Sequence, residues 1–478
     1  MTPIKDNSDT IAAIATPQGE GGIAVVRVSG PRAFAITDIN FSGRALLASA
    51  KSHTMHYGHF LAGGAHMAGQ GGERPVLDTV VAMVYRAPHS YTGEDTVEVS
   101  CHGGYFVSQQ VLQALLAGGA RLAEPGEFTL RAFLNGRLDL AQAEAVADLI
   151  RARSEKAHRT SIAQLEGSLS RYIGSLRGEL MDLCALFELE LDFSEEDIEL
   201  ADREEAKEAL RRIRATIRSA ITSFAGGRLV REGVTAVLAG KPNAGKSSLL
   251  NILLDENRAI VSHIPGTTRD MIQESASING LLFTFIDTAG LRETADEIEQ
   301  EGVRRTQARM ADADLVVLLV DASHPADAED VRLYREIART RAEQAVLLTV
   351  FNKADIESPE FKDSVSAFTN EEGRHSVSIS CRTHEGIARF KEMLYHLALP
   401  HYDTDARSIT ITNLRHKQSL EAAEESLRRA QASLDGRASG ELIAIDLREA
   451  MEHLGMIIGV TTPEDILNTI FSKFCIGK

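Results

Sequence analysis

AVLAGKPNAGKSSLLNILL, residues 236–254, is the stretch on which the fold turns. It opens as an apolar run of strand character and closes as an apolar-periodic run of helix character. Gly240, Gly245, Lys246 and Ser247 stand between the two in GxxxxGKS spacing. A glycine-rich turn entering a helix lets backbone N–H groups wrap a phosphate chain, and the positive end of the helix dipole favours the anion. In that setting Lys246 reaches the β- and γ-phosphates and the Ser247 hydroxyl ligates Mg²⁺. Asn243, Ala244, Gly245, Lys246, Ser247 and Ser248 are therefore expected to line a nucleotide phosphate site.

Downstream, the apolar runs LFTFIDTAG, DLVVLLVDA and AVLLTVFNKAD alternate with helical patterns, which predicts a parallel α/β sheet. Four further elements follow the phosphate loop in order. SHIPGTTRD brings Ser262, His263, Ile264, Pro265, Gly266 and Thr267 to the nucleotide, with Thr268 as the hydroxyl for Mg²⁺. DTAG supplies Asp287, Thr288, Ala289 and Gly290, where Asp287 holds the metal through water and the Gly290 N–H senses the γ-phosphate. NKAD supplies Asn352, Lys353, Ala354 and Asp355. A carboxylate at Asp355 accepts from N1–H and the 2-amino group of guanine, a donor pair that adenine lacks, while Asn352 braces the loop and the purine edge. SISCR ends a further strand and brings Ser380, Cys381 and Arg382 to the base, with a backbone N–H from about Cys381 for the guanine oxygen. These five elements predict a GTPase. One position breaks the usual pattern: Leu291 stands where Ras-like proteins carry the glutamine that orients the attacking water.

The rest of the chain sets limits. A length of 478 residues implies two to four domains. The net charge of −17 has the wrong sign for a chain that coats nucleic acid by charge alone, so a nucleic-acid partner needs a local basic face. No apolar run approaches the roughly 18–20 residues of a membrane helix, and the first ten residues lack a signal pattern, so a cytoplasmic protein is expected. Cys101, Cys184, Cys381 and Cys475 are far apart without a CxxC pair, which argues against a disulfide framework or structural zinc. His53, His56 and His59 lie in what reads as a strand, where side chains alternate faces and do not converge on a metal; Cys101 beside His102 points apart from it for the same reason. Up to about Gly136 short β-like runs and glycine-rich turns predict an α+β domain, and from Leu138 amphipathic helices run to about Ser223. Helices return after LPHYDTD, and the last is expected to start with Thr462 as N-cap and Pro463 in the first helical position. The expected division is 1–136, 137–230, 231–400 and 401–478, with the α/β unit inserted into a helical domain built from two chain segments.

Beyond these readings, TPQGEGGIAVVRVSG, YTGEDTVEVSCHGG, PGEFTLRAFLNGRLDLAQAEAVADLI, DTAGLRETADEIEQEG and the terminal FCIGK resemble the MnmE (TrmE) family of tRNA-modification GTPases over residues 9–478. The resemblance implies a multidomain fold: an α+β N-terminal folate-binding and dimerising domain, a discontinuous α-helical domain, and an inserted Ras-like α/β P-loop GTPase domain. It implies a homodimer that works with the FAD flavoprotein MnmG, as a heterotetramer or larger complex. Together they would place an aminomethyl or carboxymethylaminomethyl group on carbon 5 of the wobble uridine of tRNA, with a one-carbon unit from 5-formyl- or methylene-tetrahydrofolate. It also answers the Leu291 problem. K⁺ held by Asn243, Ser262, Ile264 and Thr267 would take the place of an arginine finger, worth on the order of 10³ to 10⁵ in rate, and Glu299 would position water as the catalytic carboxylate beside Lys246. Threonine is more usual in the family where Ser262 stands. Arg27, Glu98, Arg137 and Lys478 carry over as folate-binding residues; a pterin edge resembles that of guanine, so a carboxylate suits it, and cations suit the anionic tail. Cys475 is either part of the modification chemistry or a packing residue at a domain junction. The rival function is a ribosome-assembly or RNA-binding GTPase switch, whose P-loop unit would look the same.

Overall fold

The computed structural model describes residues 9–17, 19–63, 74–192, 203–255, 273–287, 313–342, 344–364, 368, 375–400 and 409–478. The chain divides into two compact units, one from residues 1–147, 164–177 and 452–478, the other from 148–163 and 178–451. In chain order the elements begin with β1 (Ile11–Ile14), β2 (Gly21–Ser29), α1 (Ala33–Asn40), β3 (Phe41–Gly43), β4 (Thr54–Leu61), β5 (Val76–Tyr85), β6 (Thr96–Gly103), α2 (Tyr105–Ala117), β7 (Arg121–Leu122) and α3 (Glu127–Leu134). The helices α4 (Leu140–Arg151), α5 (Glu155–Leu165), α6 (Ser168–Asp192) and α7 (Arg203–Glu232) follow. Next come β8 (Val234–Gly240), α8 (Lys246–Asp255), β9 (Gln273–Ile278), β10 (Leu281–Asp287), β11 (Leu315–Asp321), α9 (Ala328–Thr340), β12 (Val346–Asn352), α10 (Pro359–Ser364), β13 (His375–Ser378) and α11 (Ile387–Ala398). The chain closes with α12 (Leu414–Asp435), α13 (Gly440–Ile458) and α14 (Glu464–Phe471).

The first unit is built on a seven-stranded sheet in the order β3-β4-β5-β6-β2-β1-β7. Strand alternation sorts its residues. Val26, Val28, Val97 and Val99 face the core that α1 and α2 cover through Ile36, Val111 and Leu115. Ile11 and Ala13 face the other way, onto Phe128 of α3. Arg27 pairs in register with Ala13 on one side and Glu98 on the other, so both charged residues lie on this second face. The C-terminal segment belongs to the same unit: Leu467, Phe471 and Phe474 pack with Leu140, Ala143 and Val146.

The second unit holds the predicted α/β sheet, in the order β13-β12-β11-β8-β10-β9, parallel except for the β9–β10 pair. Its central strands read as unbroken apolar runs because both faces are covered. Ala236, Leu238, Leu315, Val317 and Leu319 point to a core shared with Leu249 of α8 and Phe390 of α11. Val237, Ala239, Val316, Leu318 and Val320 point to the opposite core, with Tyr334 and Ile337 of α9. β8 lies between β10 and β11, so connections leave it in opposite directions and open a crevice at its carboxyl end, where ligands of such sheets bind. The phosphate loop starts there. In the helical part of this unit, α7 buries Leu210, Ile213 and Ile217, and α12 buries Leu420, Ala423 and Leu427, each a stripe at three- and four-residue spacing. Arg214 and Arg218 of α7 both bind Glu424 of α12.

Three local expectations are corrected. α7 does not end near Ser223 but runs to Glu232. Gly227 lies inside it, buried where Ile411 comes so close that a Cβ would stand 2.1 Å from that residue's carbonyl oxygen. The glycine admits a neighbouring chain; it does not end the helix. α14 starts one residue later than expected: Pro463 is the N-cap, with ψ 146, and its carbonyl accepts from the N–H groups of Ile466 and Leu467. Proline fixes φ for either position and leaves ψ to decide. His53 precedes β4 in a turn with φ 62, while His56 and His59 lie within the strand. Among the described residues no group of His, Cys, Asp and Glu is placed to hold a metal ion, and no helix is long and apolar enough to cross a membrane.

Candidate functional site

The phosphate loop is shaped by backbone that only glycine accepts readily. Gly240 has φ +145 and faces the Leu319 carbonyl, which a Cβ would meet at 2.4 Å. Gly245 has φ +100, and its Cβ would fall 2.1 Å from Asn352 Nδ2. That contact marks the centre of the site. Asn352 is buried; its amide N–H donates to Ala244 O at 2.8 Å, and its oxygen accepts from Cys381 N at 3.1 Å. One side chain thus ties the phosphate loop to the base-side loop. The N–H expected from about Cys381 for guanine is therefore held by Asn352.

Lys246 is 6% exposed, and its ammonium donates to the carbonyls of Gly240 and Lys241, both at 2.8 Å. These bonds aim it across the mouth of the loop. Ser247 and Ser248 are exposed in the first turn of α8, and Asn243 is exposed with φ 64. Asp355 accepts from Ser380 Oγ at 2.6 Å and has Arg382 Nε at 3.5 Å, so the carboxylate is held in place. Lys353 has φ 66 and donates to Asp321 at 2.5 Å, and Asp321 in turn accepts from the N–H and hydroxyl of Ser323. Burial pushes Asp321 up, but Lys353 and Ser323 more than offset it and hold the carboxyl below the ordinary 3.8. Ala354 N–H closes the turn onto Ile379 O. Burial lifts the Cys381 thiol to about 11, which keeps it protonated near neutral pH. Asp287 ends β10, its backbone in register with Leu238. Ser262, His263, Ile264, Pro265, Gly266, Thr267, Thr268, Thr288, Ala289, Gly290 and Glu299 lie outside the described residues.

Two supports escaped sequence reasoning. Lys241 binds Asp327 at 2.5 Å and Asp330 at 3.1 Å, tethering the phosphate loop to the start of α9. The signal was available in the Asp327 to Asp330 spacing, which forms a capping box. The Asp321 to Lys353 pair had no such signal, because the two meet only through strand pairing.

A second polar cluster lies in the first unit. Arg27 donates through Nε and Nη2 to one oxygen of Glu98, at 2.8 Å each, with side chains 12% and 18% exposed. Its guanidinium sits 5.1 Å from the Tyr91 ring and 5.5 Å from the Phe128 ring, close enough for cation–π attraction. The third nitrogen, Nη1, is buried with no hydrogen-bond partner among the described residues. The C-terminal tail docks nearby: Gly477 has φ +96 and lies against Ile14 O, where a Cβ would come within 2.3 Å. Lys478 is half-buried. Burial first, and Arg27 second, hold its ammonium below the ordinary 10.5, with Glu98 pulling the other way. Arg137 is exposed, its stem over Gly93, and makes no ion pair with Glu98 among the described residues. Cys475 is exposed, and its carbonyl accepts from Gly126 and Lys478. Cys101 is buried, its thiol pushed to about 11 by burial, while His102 faces out onto Asp78. That separation removes the nucleophile–base pair, as strand alternation required.

Comparison with known proteins places this arrangement. The MnmE helical domain model matches residues 140–475, and the model described as the GTP-binding protein TrmE N-terminus matches residues 10–137. The tRNA modification GTPase MnmE of Chlorobium phaeobacteroides is 46% identical over 476 residues, covering 98% of this chain and 97% of that one. Those of Cytophaga hutchinsonii and Salinibacter ruber are 44% and 45% identical, covering 100% and 98% of this chain and 99% of each of theirs. Among solved structures, the G domain of T. maritima FeoB is 27% identical, covers 34% of this chain and 98% of that one, and has a TM-score of 0.26. The chain belongs to the MnmE family of tRNA-modification GTPases.

Proposed function

We propose that this GTPase acts on the wobble uridine of tRNA. In this reading it installs an aminomethyl or carboxymethylaminomethyl group at carbon 5, as a cytoplasmic homodimer partnered by the flavoprotein MnmG. The observation that carries the folate half is the Arg27–Glu98 pair. Among the described residues it keeps one buried donor, Nη1, and one carboxylate oxygen, Oε2 of Glu98, without a hydrogen bond, beside the half-buried Lys478. That donor and acceptor set fits the edge of a pterin, and the cation fits a glutamate tail. Arg27, Glu98 and Lys478 would hold a tetrahydrofolate derivative, with Arg137 toward its solvent end. The folate would supply the one-carbon unit.

At the nucleotide site Gly245, Lys246 and Ser247 would cradle the phosphates, with Ser247 and Thr268 on Mg²⁺ and Asp355 reading guanine. K⁺ would lend positive charge to the phosphates, and Asn243 has the exposed, left-handed placement at the loop rim that fits a ligand of that ion. Ser262, Ile264 and Thr267 would complete the cage, and Glu299 would orient water.

Equilibrium binding of 5-formyltetrahydrofolate to the purified protein tests the folate half: saturable binding that Arg27→Ala weakens about tenfold or more is expected, and none in the wild type overturns it. Steady-state hydrolysis in K⁺ against Na⁺ tests the rest. A large fall in Na⁺, and normal GTP binding with slow hydrolysis in Glu299→Ala, are expected; indifference to the swap removes the cation, and wild-type turnover removes Glu299.

A further inference from the structure

The chain is acidic overall at −17, yet its family acts on tRNA, a polyanion, so contact requires a local concentration of unneutralised positive charge. Two stretches offer arginine in density. LRRIRATIR, residues 210–218, holds four arginines and no acid. Each is matched by a carboxylate: Arg211 by Glu208, Arg212 by Glu179, and both Arg214 and Arg218 by Glu424. Arg214 and Arg218 join α7 to α12 through Glu424, while Arg211 and Glu208 pair within α7. The other stretch is RARSEKAHR, residues 151–159, with three arginines, one lysine, one histidine and a single acid.

There the pairing is different. Arg153 and Arg159 are exposed, and neither makes an ion pair or side-chain hydrogen bond among the described residues. Ser154, Ala157 and Ser161 form the buried stripe of this segment, and Ser154 accepts from the Ala157 N–H at the start of α5. At 100° per residue, Arg159 falls on the side of α5 opposite Ala157. The backbone is anchored as well: Lys156 N–H donates to Gly280 O at 3.0 Å, and its ammonium lies 5.1 Å from the Tyr395 ring. An anchored backbone thus displays Arg153 and Arg159 to solvent, and Glu155 is the single acid within the segment 151–159.

We propose that the exposed segment carrying Arg153 and Arg159, at and just before the start of α5, is a tRNA-backbone contact. The inference rests on the reading that this chain engages tRNA directly, and adds where it does so. Phosphate recognition by this segment is independent of sequence, so it would position the RNA and leave base selection to other groups. Arg332, Arg335 and Arg339 of α9 are a weaker candidate, since Glu336 lies on their face and Glu329 and Asp330 open the helix.

The test is equilibrium binding of a full-length tRNA transcript to the full-length protein over a range of salt concentrations. Arg153→Glu/Arg159→Glu is compared with Arg211→Glu/Arg212→Glu, which makes the same charge change in the same unit. The first is expected to lose on the order of tenfold or more in affinity at low salt, with the salt slope shallower by about two. The control is expected to stay within about twofold. Arg153→Lys/Arg159→Lys should bind as the wild type does, and GTP hydrolysis by every variant should be unchanged, which reports intact folding. Equal losses in both reversal variants, or none in the first, overturn the proposal. Unchanged tRNA affinity with lost capture of the flavoprotein partner by the first variant alone also overturns it and assigns the segment to a protein surface. A wild-type protein that binds no tRNA at any salt overturns the direct-contact reading itself.

Discussion

The nucleotide site and the Arg27–Glu98 site use charge in different ways. In the nucleotide site each described anchor is already satisfied: Lys246 by loop carbonyls, Asp355 by Ser380, Asn352 by Ala244 and Cys381. Ligand groups would replace or join bonds that exist. In the Arg27–Glu98 site a donor is left buried and without a partner among the described residues, a state that costs about 1–3 kcal/mol until something accepts from it. The first site is preorganised by backbone, the second by an aromatic shelf and a docked chain end. Backbone shape tolerates almost no change at a glycine, whereas a side-chain pair can lose a member and keep its fold.

The comparison is broken most severely at Gly245. Gly245→Ala puts a residue with a Cβ at φ +100, worth about 1–2 kcal/mol, and drives that Cβ to 2.1 Å from Asn352 Nδ2. GTP affinity by calorimetry is expected to fall on the order of a hundredfold, with 5-formyltetrahydrofolate binding unaltered. Asn352→Ala comes next. It leaves Ala244 O and Cys381 N without their partner, so an affinity loss of roughly tenfold or more for both GDP and GTP is expected. Combining the two should not restore binding, because the backbone strain at residue 245 remains after the clash is gone. Recovery in the double variant would show that the contact with Asn352, and not the conformation, is what glycine serves.

The same contrast explains what could be read in advance. The phosphate loop and NKAD are contiguous, so spacing alone predicted their elements, and the strands beside them followed from apolar runs. Asn352 as the link between two loops was half legible: its role as a brace was expected, but its hold on the Cys381 N–H depends on the packing of β12 against β13. Arg27, Glu98 and Lys478 are separated by 71 and 380 positions and were found only through resemblance. A signal did exist, since each charged strand residue stands between two valines that face the core, which places it on the opposite face. Tyr91 and Phe128 carried no signal that links them to Arg27. Helical character in the sequence reads only to about Ser223, short of the true end of α7 at Glu232, and nothing in the local sequence announces that Gly227 lets the chain at Ile411 approach.

A smaller effect sharpens the comparison from the other side. Arg27→Ala removes a charge-assisted bond, worth about 1.5–3 kcal/mol. A fall in 5-formyltetrahydrofolate affinity of about tenfold or more is expected, with the rate of GTP hydrolysis and its KM unchanged. Arg27→Lys should recover only part of it, since an ammonium cannot serve Glu98 and a ligand in the same planar fork. If GTP hydrolysis fell with folate affinity, the two sites would not be separable.

The smallest expected effect is one of pH, at Lys478. Its value in the docked tail lies below the ordinary 10.5, so the folded state sheds a proton that the undocked tail keeps. Between the docked value and 10.5 the undocked tail binds more protons, and docking therefore strengthens as pH rises through that window and is constant outside it. An anionic ligand reverses the preference. Its carboxylate favours the ammonium form, so binding takes up a proton wherever Lys478 is partly neutral, and affinity weakens as pH rises through the docked value. Wild-type affinity for 5-formyltetrahydrofolate should accordingly decline a few-fold toward the alkaline end relative to Lys478→Met. That variant keeps the terminal carboxylate, removes the ammonium, and should bind more weakly at neutral pH. Parallel pH profiles for the two proteins would mean that the lysine does not face the ligand, and the tail would then serve the site only by covering it.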